Sequence, residues 1–345
     1  MKIFHIESGF GNQMLSYCEF LAMKKSNPNE DCYIEKIVYG IPEANEYINQ
    51  WNGYELERVF GIKAPDFMDM LSEEQRRTVL EDITLTKFWL HEWNWPVYFQ
   101  KAFAKAGIEL VNARGDFEAN KAEWSISRKG TPPLSYRLKQ TGLYSNLKRL
   151  MKKGAHPVEI DKLFYSNDKN ELIGQRLSFK YLGNGIERID KEIREAFAFP
   201  PITDPENTRF QEQICSCESV AIHARRGDML TVNGQYYKSG YFRRAVKYIK
   251  QNVSDPCFFF FCDPGSVEWC RNNPKTFGLD FQNDKVYFVD CNSGSSSFRD
   301  MQLMAMCKHN IVTNSSFGWW GAYLNQNPSK ITISPDISMN TTNHM

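Results

Sequence analysis

The stretch Ser219-Val220-Ala221-Ile222-His223-Ala224-Arg225-Arg226-Gly227-Asp228 decides the fold. Six residues without a charge or a polar/apolar alternation give way at once to two arginines, a glycine and an aspartate. A short continuous run of this kind suits a strand buried on both faces. Comparable runs stand at 257–262 (Cys-Phe-Phe-Phe-Phe-Cys), 285–290, 309–313 and 330–334. Helix-like segments lie between and beside them, at 240–252, 266–272, 298–308 and 316–325. Buried strands alternating with helices predict a parallel sheet covered on both sides. In such sheets ligands bind just past the carboxyl ends of the strands, where the Arg-Arg pair stands.

Toward the N-terminus the same grammar recurs more faintly. Residues 2–6 read as a buried strand, Gly9-Phe10-Gly11-Asn12-Gln13 as a turn, and 14–24 as a helix. Residues 33–130 are rich in aromatics and do not parse. Pro200-Pro201 and Asp204-Pro205 read as a linker, which divides the chain into an N-terminal domain (1–205) and a C-terminal domain (206–345). The length of 345 residues fits two domains.

Composition excludes several classes. Lys+Arg number 42 against 41 Asp+Glu, a net charge of +1, which argues against a globally basic nucleic-acid binder and against an acidic disordered chain. No apolar run approaches the ~18 residues of a membrane-spanning helix. The start Met1-Lys2-Ile3-Phe4-His5-Ile6 lacks a signal-peptide pattern, so a cytoplasmic location is expected. The nine cysteines are odd in number and scattered, as reduced structural thiols are. No Walker A loop, Gly-x-Ser-x-Gly elbow or Asp-x-Asp pair occurs, against a kinase, a serine hydrolase and a carboxylate-held divalent metal. The six histidines show no metal spacing. Residues 125–158 carry eight Lys and Arg and no acid. This stretch suits peripheral contact with an anionic membrane face, or is simply a solvated loop.

Three clusters fall at strand ends. In the first, two adjacent arginines point in different directions, so one can grip a phosphate bidentately while the other meets a carboxylate. In the second, Asp263 can accept from a guanine edge or ribose hydroxyls, or can cap the next helix. In the third, Asn314, Ser315 and Ser316 open a helix, whose N-terminus is an anion site or merely a capped end. Trp319 and Trp320 suit the core better than a sugar platform. Gathered on one sheet, the three clusters make the inventory for a nucleoside diphosphate. The N-terminal Gly9-x-Gly11 lacks the third glycine and the downstream acid of a dinucleotide site. There Gly11 permits close approach of a ligand, and Asn12 can bond a sugar hydroxyl.

These residues resemble a known family. His223-Ala224-Arg225-Arg226-Gly227-Asp228 is similar to the His-x-Arg-Arg-x-Asp motif of the α1,2-, α1,6- and protein O-fucosyltransferases. Gly9-Phe10-Gly11-Asn12-Gln13 resembles their N-terminal Gly-x-Gly-Asn-Gln, and Asn314 to Asn325 resembles the Trp-Trp motif of the α1,2-fucosyltransferases, glycosyltransferase family eleven. Departures are Ala224, Met229, Pro264, and Ser8-Gly9 in place of Gly-Gly. The resemblance implies an α/β GT-B fold, two Rossmann-like domains with the active site in the cleft between them. It implies GDP-L-fucose as donor, the 2-hydroxyl of a galactose-terminated oligosaccharide as acceptor, inversion, and no metal or other cofactor. Arg225 would hold the pyrophosphate, with His223 and Arg226 supporting the nucleotide or its loop. Asp263 would contact guanosine, Asn314, Ser315 and Ser316 would surround the phosphate, and Gly11 and Asn12 would lie near the fucose or acceptor. Asp228 is the expected general base, or else a partner of Arg226. An α1,6-linking enzyme and a catalytically silent nucleotide-sugar or glycan-binding protein are the competing expectations.

Overall fold

The computed structural model describes residues 1–48, 52–91, 94–118, 134–139, 141, 144, 147, 161–176, 179–180, 185–227, 230 and 235–335. Asp228, and most of the basic stretch 125–158, lie outside the described residues. The chain makes two compact units, one of residues 1–132 with 156–198 and one that runs through 199–343.

The N-terminal unit is built on a four-stranded sheet of β1 (Lys2–His5), β2 (Cys32–Glu35), β3 (Val111–Asn112) and β4 (Glu171–Ile173), in the order β2-β1-β4-β3. Every pairing is parallel. All four residues of β1 are buried, as a central strand covered on both faces requires. Helix α1 (Phe10–Ser26) follows β1. It starts four residues earlier than the sequence suggests, because the Gly-rich turn is itself its first turn and Gly9 its N-cap. Helix α2 (Glu73–Thr86) opens on a capping box: Ser72 Oγ accepts from Gln75 N–H at 3.2 Å, and Gln75 Oε1 accepts from Ser72 N–H at 3.1 Å. Helix α3 (Pro96–Lys105) buries Val97, Phe99, Ala102 and Phe103 in the core that contains Ile3 and Leu172.

The second unit carries the five-stranded sheet read from the sequence: β5 (Glu218–Ala224), β6 (Pro256–Cys262), β7 (Lys285–Val289), β8 (His309–Ile311) and β9 (Thr332–Ile333). Its order is β7-β6-β5-β8-β9, again wholly parallel. The expected α/β class with parallel sheets is what both units form. Phe258 to Phe261 of β6 are 0–1 % exposed, so the strand is sealed on both faces. Phe260 stacks on Phe288 and Phe259 on Tyr287, each pair with centroids 4.9 Å apart. Helix α4 (Pro205–Cys215) leads into β5. Asp204-Pro205, expected within a linker, is instead its start: Asp204 Oδ1 accepts from Asn207 N–H at 2.9 Å and Pro205 occupies the first turn, where its missing N–H costs nothing. Helix α5 (Tyr241–Asn252) buries Phe242, Val246 and Ile249 and exposes Arg243, Arg244, Lys247 and Lys250, an amphipathic stripe against the sheet. Helices α6 (Val267–Arg271), α7 (Phe298–Met306) and α8 (Ser316–Leu324) complete the crossovers. No described helix is long and apolar enough to cross a membrane.

Candidate functional site

The register of the second sheet brings the sequence clusters level. Ala224 pairs with Cys262 across β5 and β6, so Arg225 and Asp263 are the next residues on each strand. Ile222 pairs with Ile311 across β5 and β8, which carries Asn314 to the level of Arg225. Asp263, Arg225 and Asn314 thus follow the carboxyl ends of three adjacent strands.

The two arginines part as expected, but the carboxylate goes to the first of them. Arg225 Nη1 donates to Asp263 Oδ1, and Asp263 Oδ2 accepts from the Arg226 backbone N–H at 2.6 Å. Asp263 therefore closes the loop after β5 onto β6. It sits at the start of a short 3-10 turn without a side-chain cap bond, so capping is not its task. A Cβ at Gly227 would stand 3.3 Å from the Asp263 carboxylate, which leaves little room for a side chain there. The Arg226 guanidinium turns away and lies over Trp269, 3.3 Å from the ring centroid, with Tyr237 at 4.9 Å on the same cation. Trp269 and Tyr237 were not legible as site residues, because a cation–π platform has no sequence spacing of its own.

His223 is 5 % exposed. Burial, aided by the Arg225 charge and opposed by Asp263, pushes its pKa down to about 4, so the ring is neutral near pH 7. Its Nδ1 has no hydrogen-bond partner among the described residues. The ring is held by close approach of α8: a Cβ on Gly318 would fall 2.3 Å from His223 Nδ1. Phe317 lies alongside, its ring centroid 5.8 Å from that of His223.

Helix α8 begins at the third cluster. Asn314, Ser315 and Ser316 are all half-buried, and the N-cap Ser315 makes no side-chain cap bond. Its first turn carries the positive end of the helix dipole. The Trp pair divides: Trp320 is sealed in the core, while Trp319 is half-buried and stacks on Tyr323 with centroids 5.1 Å apart and an 8° tilt.

Gly11 and Asn12 belong to the N-terminal unit and lie in the first turn of α1, Gly11 buried and Asn12 half-buried. The next residue, Gln13, is wholly buried and ties loops together: its Nε2 donates to the carbonyls of Ser8 (3.1 Å) and Gly53 (2.9 Å), and its Oε1 accepts from Glu55 N–H at 2.8 Å. Ser8 has φ 70°, which explains why glycine is usual at that position in the family it resembles.

Residues 205–343 match the model of glycosyl transferase family 11. An α-1,2-colitosyltransferase of Escherichia coli is 32 % identical over 152 residues, 42 % of this chain and 49 % of the relative. The O-antigen biosynthesis glycosyltransferase WbnK of the same organism is 34 % identical over 133 residues, 36 % of this chain and 41 % of that one. Galactoside α-(1,2)-fucosyltransferase 1 of Saimiri sciureus is 34 % identical over 110 residues, 30 % of this chain and 28 % of the relative. The chain thus spans half or less of the length of these curated relatives. Among solved structures, the fucosyltransferase NodZ from Bradyrhizobium aligns over 93 % of this chain and 91 % of that one, with a TM-score of 0.44 and 13 % identity.

Proposed function

With a glycosyl transferase family 11 match over its C-terminal unit, we propose that the chain is an inverting glycosyltransferase. It moves L-fucose from GDP-L-fucose to the 2-hydroxyl of a terminal galactose. The observation that carries the reading is Arg225, fixed at the end of β5 by Asp263 and level with the start of α8. Inversion takes one in-line displacement. The acceptor oxygen forms a bond to the anomeric carbon while the bond to the β-phosphate oxygen breaks, and charge builds on departing GDP. Fixed cations and helix dipoles can hold that charge without a metal. Arg225 and the first turn of α8 are of that kind, and neutral His223 packs behind them. Gly11 and Asn12 serve the fucose or the acceptor.

Loss of one preorganised donor typically costs about 10²–10³ in rate. Arg225→Ala is expected to lose at least a hundredfold (about 2.7 kcal/mol) in GDP release from GDP-fucose with lactose, with its melting temperature unchanged. Near-normal turnover sinks the assignment, and wild-type activity abolished by EDTA sinks the metal-free reading. One relative is named for colitosyl rather than fucosyl transfer, so a GDP-colitose donor belongs in the same assay. NMR of the product separates a 1,2 from a 1,6 linkage, and GDP binding without any transfer would favour a silent binding protein. An acceptor screen with free and lipid-linked glycans identifies the natural partner.

A further inference from the structure

The aromatic platform under Arg226 is built more firmly than a surface cation needs. Trp269 stands in α6, and its backbone carbonyl accepts from Asn273 Nδ2 at 2.7 Å. Tyr237 stands in the short helix Gln235–Lys238. The two rings meet edge to face, with centroids 5.7 Å apart and planes at 90°. Each also meets Phe277 at a centroid distance of 6.4 Å, and Tyr237 packs on Phe242 at 5.0 Å. Phe242 and Phe277 are fully buried. The platform is thus continuous with the core of the second unit, and it keeps its place whether or not a cation rests on it.

Arg226 joins this platform to Arg225. Its guanidinium lies 3.3 Å from the Trp269 centroid and 4.9 Å from that of Tyr237. Its backbone N–H donates to Asp263 Oδ2 at 2.6 Å, and the other oxygen of the same carboxylate accepts from Arg225 Nη1. Three links therefore run from the core to Arg225: rings to Arg226, Arg226 to Asp263, Asp263 to Arg225. The last two are bonds to a charged carboxylate, stronger than bonds between neutral groups. The first is a cation–π contact, and it differs in kind from an ion pair. A carboxylate would hold Arg226 by neutralising it, whereas a ring face holds a guanidinium through its quadrupole and leaves the charge in place.

We infer that Trp269 and Tyr237 are positioning residues of the donor site, a role that rests on the fucosyl-transfer reading for the identity of the ligand. Through Arg226 and Asp263 they set the place of Arg225, and with it the affinity for the diphosphate of the nucleotide. A loop without the clamp would have to be ordered by the ligand. Affinity then falls by the fraction of molecules in which the loop is out of place. The strength of the ring–cation contact, and not merely an apolar side chain at position 269, sets how tightly GDP binds.

The test replaces Trp269 alone by tryptophans that carry one to four ring fluorines. Fluorine draws electron density from the ring face and weakens its hold on a cation, while the shape of the side chain hardly changes. GDP affinity, read by calorimetric titration, is expected to fall step by step along the series, by about fivefold in all. Trp269→Phe, which keeps a weaker face, should lie between wild type and Trp269→Leu, which keeps none. A loss of packing would not sort the fluorinated proteins in this order, and equal melting temperatures along the series exclude it. The series should lose its slope in Arg226→Met protein and in Arg225→Ala protein, because the links are then cut. GDP affinity that is indifferent to fluorine overturns the inference. So does a full slope without Arg226, which would mean that Trp269 meets the nucleotide itself, and so does a full slope without Arg225, which would mean that the clamp serves another group. GDP binding needs no sugar transfer, so the two readings fail separately. Wild-type protein that shows the graded series yet transfers no sugar overturns fucosyl transfer and upholds the clamp; wild-type protein that binds no GDP overturns both.

Discussion

Alanine at position 318 gives opposite signs for two pictures of α8. Glycine inside a helix is ordinarily a weakness, and alanine there stabilises by about 0.5–1 kcal/mol. The structure demands the reverse. A Cβ at 318 would stand 2.3 Å from His223 Nδ1 and 2.9 Å from its Cγ. Ordinary heavy-atom contact begins at about 3.5 Å, so the ring or the helix must yield by roughly 1 Å. Neither has room. His223 is 5 % exposed in the middle strand of its sheet, and α8 is anchored by the fully buried Trp320. Overpacking of this kind costs about 1–3 kcal/mol, and the clash at 2.3 Å sets it toward the upper end, so that it outweighs the helix gain and leaves a net loss of up to about 2.5 kcal/mol. The urea midpoint, followed by tryptophan fluorescence, reads this loss, and calorimetric titration with GDP reads the displaced start of α8 as weaker binding. Adding His223→Ala removes the obstruction, so a double-mutant cycle should return a coupling of about 1 kcal/mol or more. A Gly318→Ala protein as stable as wild type or more so, with no coupling to position 223, refutes the close approach and the placement of α8 built on it.

Two further expectations follow from half-buried carboxylates. Asp263→Asn removes the charge that holds Arg225 while keeping the side-chain shape, so GDP should bind at least about tenfold more weakly (~1.4 kcal/mol) in a calorimetric titration; unchanged affinity would mean that Arg225 is positioned by something else. Asp300 of α7 is half-buried and accepts one bond from Asn292 at 2.8 Å; burial pushes its pKa up to about 7. The native state therefore binds a proton that the unfolded chain has lost, between about pH 4 and pH 7. That contribution is complete below pH 4, declines as the pH rises to 7 and is flat above. Asp300→Asn still accepts from Asn292 and should flatten the profile and raise stability at pH 8, by an amount on the order of a few kcal/mol; an unfolding titration that leaves the profile as it was refutes the reading.

Legibility in the sequence tracked how local each cause was. β5 to β8 announced themselves as continuous apolar runs, and their observed ends fall within two residues of the expected ones. β9 shrank to Thr332–Ile333, paired with β8 alone at the sheet edge. Asp204-Pro205 misled as a linker because a Pro-containing turn and a helix start share the same residues. The strand-end clusters were visible because they follow their strands directly, whereas their partnerships were not. Asp263 lies 38 positions from Arg225 and Glu35 lies 30 from His5. Only the parallel register makes them neighbours. His5 gave no hint of Glu35, which strand pairing sets beside it, although Glu7 stands only two residues on.

The run of four phenylalanines in β6 has a consequence for how the sheet finds its pairing. A strand whose inner residues are identical gives hydrophobic burial little to discriminate: displaced by two positions along β5, phenylalanine would replace phenylalanine on the same face. Such a slip would carry Asp263 away from Arg225 by roughly 6–7 Å. The contact between the two loops is therefore a vernier mark as well as part of the proposed binding site. Its worth is set against misaligned sheets rather than against the open chain, and the aspartate that fixes Arg225 also tells a monotonous strand where to stop.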